Sequence, residues 1–183
     1  MQSNAKIPKS VNVRAMVEAA MFVALAFILS LIKIYQLPYG GSITAVSMLP
    51  ILLIGFRHGP GWGIGAGFVY GLIQFLFDGY VLTPFNIFLD YLLGFAFLGI
   101  SGFFTKGKLR FYIGSFAGCL GRFICSFLSG ILFYYEYAAD WGMSPWLYSL
   151  CYNGSYIVGE LILLLIVGTV LIRFVPQLRE LGR

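Results

Sequence analysis

Six apolar runs, joined by short polar or basic connections, occupy nearly the whole chain, and runs of this kind decide the solvent before they decide the fold. Of 183 residues, 60% are hydrophobic and 10% are charged. A soluble domain carries about 25% charged residues. A chain of this length cannot build a core large enough to hide so much apolar surface. The mean hydropathy of +0.88 says the same. The chain therefore reads as an all-α membrane protein with six transmembrane helices, forming a single domain over residues 1–183.

The segments run Val13–Ile34, Ile43–Phe56, Gly61–Phe77, Pro84–Phe104, Phe111–Tyr135 and Trp146–Phe174. About 20 residues are needed to cross the hydrocarbon. The second, which holds Pro50, and the third are thin for that task. Such segments are tolerated where neighbours cover them or a cavity borders them. The polar, basic stretch from Met1 to Arg14 leads into an apolar run too long for a signal peptide and without a convincing cleavage site. Cys119, Cys125 and Cys151 lie inside apolar segments without metal-ligand spacing and read as packing or lipid-facing residues.

Charge sets the orientation. Lys6, Lys9, Arg14, Arg57, Lys106, Lys108, Arg110, Arg173, Arg179 and Arg183 fall on one side if six spans alternate. Lys33, Asp78, Glu136 and Asp140 fall on the other. The positive-inside rule then makes both termini cytoplasmic. The net charge of +5 comes from these loops and tails, so it is not a nucleic-acid signal.

Asp90 sits in the middle of the fourth segment, where a carboxylate costs roughly 2.5–3.5 kcal/mol on insertion scales. Helix rise puts Asp90 about 9 Å, Asn153 about 10 Å and Ser126 about 14 Å below the outer edge. Three helices thus place polar groups at one outer level. Arg122 and Glu160 lie deeper, at about 20 and 21 Å, which predicts an Arg122–Glu160 ion pair and leaves Asp90 without a cation at its own level. An unpaired carboxylate there suits a cationic or hydrogen-bond-donating ligand. The structural alternative is that Asn153 or tyrosine hydroxyls cap Asp90, or that it is protonated.

Tyr148, Tyr152 and Tyr156 recur every four residues and share one helical stripe. Tyr134, Tyr135, Tyr137 and Trp141 precede it. Aromatic rings beside a carboxylate can hold a flat cationic heterocycle by stacking and cation–π contact. An interfacial aromatic belt accounts better for Trp146 and Tyr135. Ala20 and Ala24 form a small-xxx-small face, as do Ala15 and Ala19, and Gly63, Gly67 and Gly71 repeat the spacing. Internal packing is the plain reading of the glycines. Glu18 pairs with Arg14 one turn away.

The sets Leu37-Pro38-Tyr39-Gly40-Gly41-Ser42-Ile43, Phe88-Leu89-Asp90-Tyr91, Ser129-Gly130 and Tyr148-Ser149-Leu150-Cys151-Tyr152-Asn153 resemble the thiamine-specific substrate-binding subunits, or S-components, of energy-coupling factor transporters. The resemblance extends over nearly the whole chain. It implies a protein without its own ATPase that captures thiamine from outside. Its first helix, through Ala20 and Ala24, would dock on a transmembrane coupling subunit that carries two cytoplasmic ATPases. It implies ligand contact by Asp90, Tyr91, Tyr148 and Asn153, stacking by Trp141, and a lid made of Pro38, Tyr39, Gly40, Gly41 and Ser42. It implies no cofactor and no metal.

One position departs from the family. A histidine that lies against the ligand is replaced here by Ser126, which removes ring contact and a hydrogen-bonding group. A related pyrimidine or thiazole compound therefore stands as an alternative ligand. From another class, a small membrane enzyme using Asp90 as acid or base is the rival. The chain has no Walker A motif and no His-Glu-x-x-His, and its one histidine is His58 in a cytoplasmic loop.

Overall fold

A computed structural model describes residues 13–80, 82–104, 106–107, 109–175 and 178. Lys6, Lys9, Lys108, Arg179 and Arg183, used above for sidedness, lie outside the described residues. Among the described residues, five helices are long and apolar enough to cross a bilayer. They are α1 (Val13–Leu31), α3 (Pro60–Asp78), α4 (Pro84–Phe103), α5 (Arg110–Phe133) and α7 (Pro145–Phe174). Between them lie the short helices α2 (Met48–His58) and α6 (Tyr135–Asp140).

Two of the six segments differ from expectation. The first run does not stay helical to Ile34: α1 stops at Leu31, and Lys33–Gln36 forms a strand, β1. Ile43 does not open the second helix but lies in β2, Ser42–Thr44, antiparallel to β1. The fold is thus helical with one small two-stranded ribbon. The β-branched residues Ile34, Ile43 and Thr44 favour this ribbon, and Gly40 and Gly41 allow the tight reversal between its strands. The second run yields an 11-residue helix. At 1.5 Å per residue it is about 16 Å long, half a hydrocarbon thickness. It survives because Met48 through Phe56 are all buried by other helices. Pro50 is harmless in the first turn, where the backbone N–H has no helical partner to lose.

Local chemistry explains the boundaries. Gly59 (φ 89°) ends α2 and Pro60 opens α3, the pairing that stops one helix and starts another. Thr83 and Asn86 form a reciprocal capping box before α4. Within α4 the backbone widens into a π-helical stretch, Ile87–Leu93, then tightens to a 3₁₀ helix over Phe97–Phe103. The π stretch contains both Asp90 and Tyr91. Such widenings recur at functional sites because they re-aim side chains that a regular helix would point elsewhere.

The glycines of α3 do pack internally, and their target is α4. A methyl group on Gly67 would lie 2.2 Å from the Phe95 carbonyl oxygen, and one on Gly71 would lie 2.3 Å from that of Tyr91. Without side chains here the two backbones touch, which holds the π stretch in place. The alanines of α1 divide: Ala15 and Ala19 are buried, whereas Ala20 and Ala24 face outward beside Met16, Val17, Met21 and Ile28. Glu18 does more than pair with Arg14. Its carboxylate also meets Arg57 at 3.1 Å and His58 at 2.9 Å, which ties α1 to the end of α2. His58 is therefore a helix-terminal tether rather than a free loop residue.

Gly67→Ala should lower thermal stability by about 1–3 kcal/mol through overpacking. Gly65→Ala, where nothing stands within 4 Å, should leave it unchanged or slightly raised. Melting of the two detergent-purified variants checks this.

Candidate ligand-binding cavity

One cavity opens among α1, the ribbon, α2, α3, α4, α5 and α7. The space open to the centres of water molecules is about 100 Å³. That is far beyond the ~10–15 Å³ a single buried water needs. Asp90, Ser126 and Asn153, placed at one level by helix rise, all line it. Tyr91 and Tyr148 do so as well. Trp141 does not: it is 62% exposed just after α6. Trp146 and Tyr135 are also exposed.

Asp90 is held by neutral donors. Ser129 Oγ donates to its Oδ2 at 2.6 Å, and Asn86 Nδ2 reaches the same oxygen at 3.4 Å. The capping groups are thus Ser129 and Asn86, not Asn153 or a tyrosine. Asn153 is occupied elsewhere. Its Nδ2 donates to the Ser126 and Ser149 carbonyls and to Ser149 Oγ, each at 3.1 Å, and its Oδ1 accepts from the Tyr156 hydroxyl at 2.9 Å. This network locks α7 to α5, where Gly130 leaves room for Ser149.

The expected Arg122–Glu160 ion pair is absent among the described residues. Glu160 is 1% exposed and its carboxylate is taken by the ribbon. Thr44 N donates to Oε2 and Thr44 Oγ1 to Oε1, both at 2.7 Å, with Ser47 Oγ at 3.5 Å. A backbone N–H and a hydroxyl satisfied the carboxylate where matching depth had suggested a guanidinium. Arg122 instead lies over the Phe95 ring, 3.9 Å from its centroid. Both residues line the cavity's deeper part, so the lining carries Asp90, Glu160 and Arg122 together.

One end of the cavity is bordered by the segment expected to form a lid. Tyr39, Gly40, Gly41 and Ser42 line the cavity, and Pro38 begins the turn. The Tyr152 hydroxyl donates to the Pro38 carbonyl and accepts from Gly41 N at 2.9 Å. Tyr39 adopts left-handed backbone (φ 64°) and its ring lies 4.3 Å from that of Tyr137. Tyr137 in turn shares a hydrogen bond with Tyr80 at 2.7 Å. That bond, with partial burial, pushes the Tyr137 phenol up to about 12, so it stays neutral. Lys33 and Asp78, 2.6 Å apart, join the ribbon to the end of α3. The tyrosine stripe of α7 faces inward, with Tyr148 stacked on Tyr152 at 5.7 Å and Tyr156 edge-on to Tyr152 at 5.9 Å.

Several lining or supporting groups escaped the sequence reading. Asn86 stands four residues before Asp90, a spacing that could have flagged it. Thr44 was hidden because its segment reads as helix. Tyr70 and Gln74 also line the cavity, and Gln74 donates to the Tyr70 hydroxyl at 2.5 Å. Thr44→Val and Glu160→Gln should each lower stability by about 1–3 kcal/mol, and the double variant should lose clearly less than their sum, since both break the same bonds. A thermal double-mutant cycle measures this.

Residues 16–180 match the model of a family described as thiamine transporter protein (Thia_YuaJ). The chain is 35% identical over 179 residues to the thiamine transporter ThiT of Bacillus subtilis, covering 89% of this chain and 92% of that one. It is 26% identical over 182 residues to ThiT of Lacticaseibacillus paracasei, covering 88% of each. A solved structure of ThiT from Listeria monocytogenes superposes with a TM-score of 0.82 at 27% identity, over 91% of this chain and 97% of that one. The S component of a bacterial energy-coupling factor (ECF) transporter shares the fold, with a TM-score of 0.59 at 22% identity.

Proposed function

The chain belongs to the thiamine transporter protein family, and from that membership we propose that it is the thiamine-binding S-component of an ECF importer. The observation that carries the reading is a membrane-embedded carboxylate, Asp90, lining a tyrosine-rich cavity closed by the ribbon. Thiamine is a flat two-ring cation with an amino group. Asp90 would balance the charge or accept an amino proton. Tyr91, Ser126, Tyr148 and Asn153 would flank the ligand. With Trp141 outside the lining, Tyr134 and Tyr148 are better placed to stack on it. Pro38 through Ser42 would act as the lid. Relatives named as transporters, together with a carboxylate held by neutral donors, count against an enzyme using Asp90.

The basic residues favour cytoplasmic termini, and counting α2 as a covered, shortened crossing makes six. The outward face of α1 with Ala20 and Ala24 would meet the coupling subunit of a module whose two ATPases supply energy. Ser126 in place of the family's histidine favours one second reading, a pyrimidine or thiazole relative of thiamine.

Calorimetric titration of the purified protein should show thiamine binding, weakened about 30-fold or more in folded Asp90→Asn, the lower range for breaking a buried charge pair. Binding of only the separate pyrimidine or thiazole would favour the second reading; equal affinity in Asp90→Asn would sink the assigned role. Ala20→Trp should abolish uptake in cells carrying the energising subunits yet leave titration of the isolated protein unchanged. Parallel loss of both would remove this face as the docking site.

A further inference from the structure

We propose that Ser129 and Asn86 are positioning residues that clamp one oxygen of Asp90, so that the site offers its ligand a single acceptor oxygen in a fixed direction. The inference rests on the thiamine-binding reading and adds to it a donor–acceptor polarity. The short hydrogen bond from Ser129 on α5, at 2.6 Å, and the longer one from Asn86 on its own helix, at 3.4 Å, both fall on Oδ2. The two donors are fully buried, at 0% exposure. Asn86 cannot turn its amide round. Its Oδ1 accepts from Leu82 N at 3.2 Å and Thr83 N at 3.1 Å, while its Nδ2 also donates to the Tyr80 carbonyl and to the Tyr134 hydroxyl. The Nδ2 side therefore faces Asp90, but its two hydrogens serve the shorter bonds to Tyr80 and Tyr134 first, so Ser129 is the principal donor of the clamp and Asn86 the weaker one. Ser126, one turn before Ser129 on α5, adds a further hydrogen-bonding group to the same carboxylate and lines the cavity. Neither Ser129 nor Asn86 takes Oδ1, which leaves that oxygen open to a ligand.

This polarity has a consequence that simple loss of charge does not. In Asp90→Asn the clamp still presents donors, so the new amide turns its carbonyl oxygen toward Ser129 and Asn86. Its NH₂ then faces the ligand, a donor set against a cation or a donor. Removing the Ser129 hydroxyl frees the amide to turn its oxygen to the ligand instead.

The test is titration with thiamine of wild type, Ser129→Ala, Asp90→Asn and the double variant, each checked for a cooperative melt. Ser129→Ala alone should bind more weakly than wild type, because the carboxylate loses its fixed direction. The double variant should bind about threefold to tenfold more tightly than Asp90→Asn, the scale of one net hydrogen bond. A double variant as weak as Asp90→Asn, or weaker by the Ser129→Ala factor, would overturn the clamp. If Ser129→Ala does not fold, Ser129→Cys keeps the volume with a poor donor and makes the same comparison. Absence of thiamine binding by the folded wild type would instead overturn the reading on which the clamp rests.

Discussion

Polar groups at membrane depth must find partners inside the protein, because lipid offers none. Asp90 and Glu160 lie deep within long helices, and among the described residues neither has a cation within 4.0 Å. Each is held by hydroxyl, amide or backbone donors instead. Glu160 receives its donors from the ribbon, and so draws the connection between α1 and α2 onto α7. Asp90 receives its donors from α5 and from the capping box of α4.

These two anchor points define the cavity. The ribbon cannot rise without unpairing Glu160, and α4 cannot regularise without moving Asp90 and Tyr91. The glycines of α3 complete the frame by letting α4 approach to backbone contact. Tyr152 links the two ends, since its hydroxyl bridges the lid turn while its ring joins the stripe that lines the chamber. The cavity is thus a product of the same hydrogen bonds that make the fold tolerable in lipid.

Much of this was legible in the sequence. Helix rise alone brought Asp90, Ser126 and Asn153 to one level, because depth along a helix depends on residue count and little else. The five long helices were readable for the same reason. The ribbon was not, since Ile43 to Phe56 is continuously apolar and hydropathy does not distinguish a short strand from a helix start. The Arg122–Glu160 pair failed on rotation: equal depth does not fix which way a side chain points, and Phe95 and Thr44 took the two partners. Asn86 passed unnoticed, and Ser129 entered only as part of a motif with no role given, because a buried neutral donor has no compositional signature until its acceptor is located.

The most direct test is a structure of the protein with thiamine bound. The account predicts the ligand in this cavity, with a ring cation or amino nitrogen within about 4 Å of Asp90 Oδ1 while Ser129 stays on Oδ2. Thiamine found outside the cavity, or inside it with Asp90 touching only Ser129 and Asn86, would contradict it.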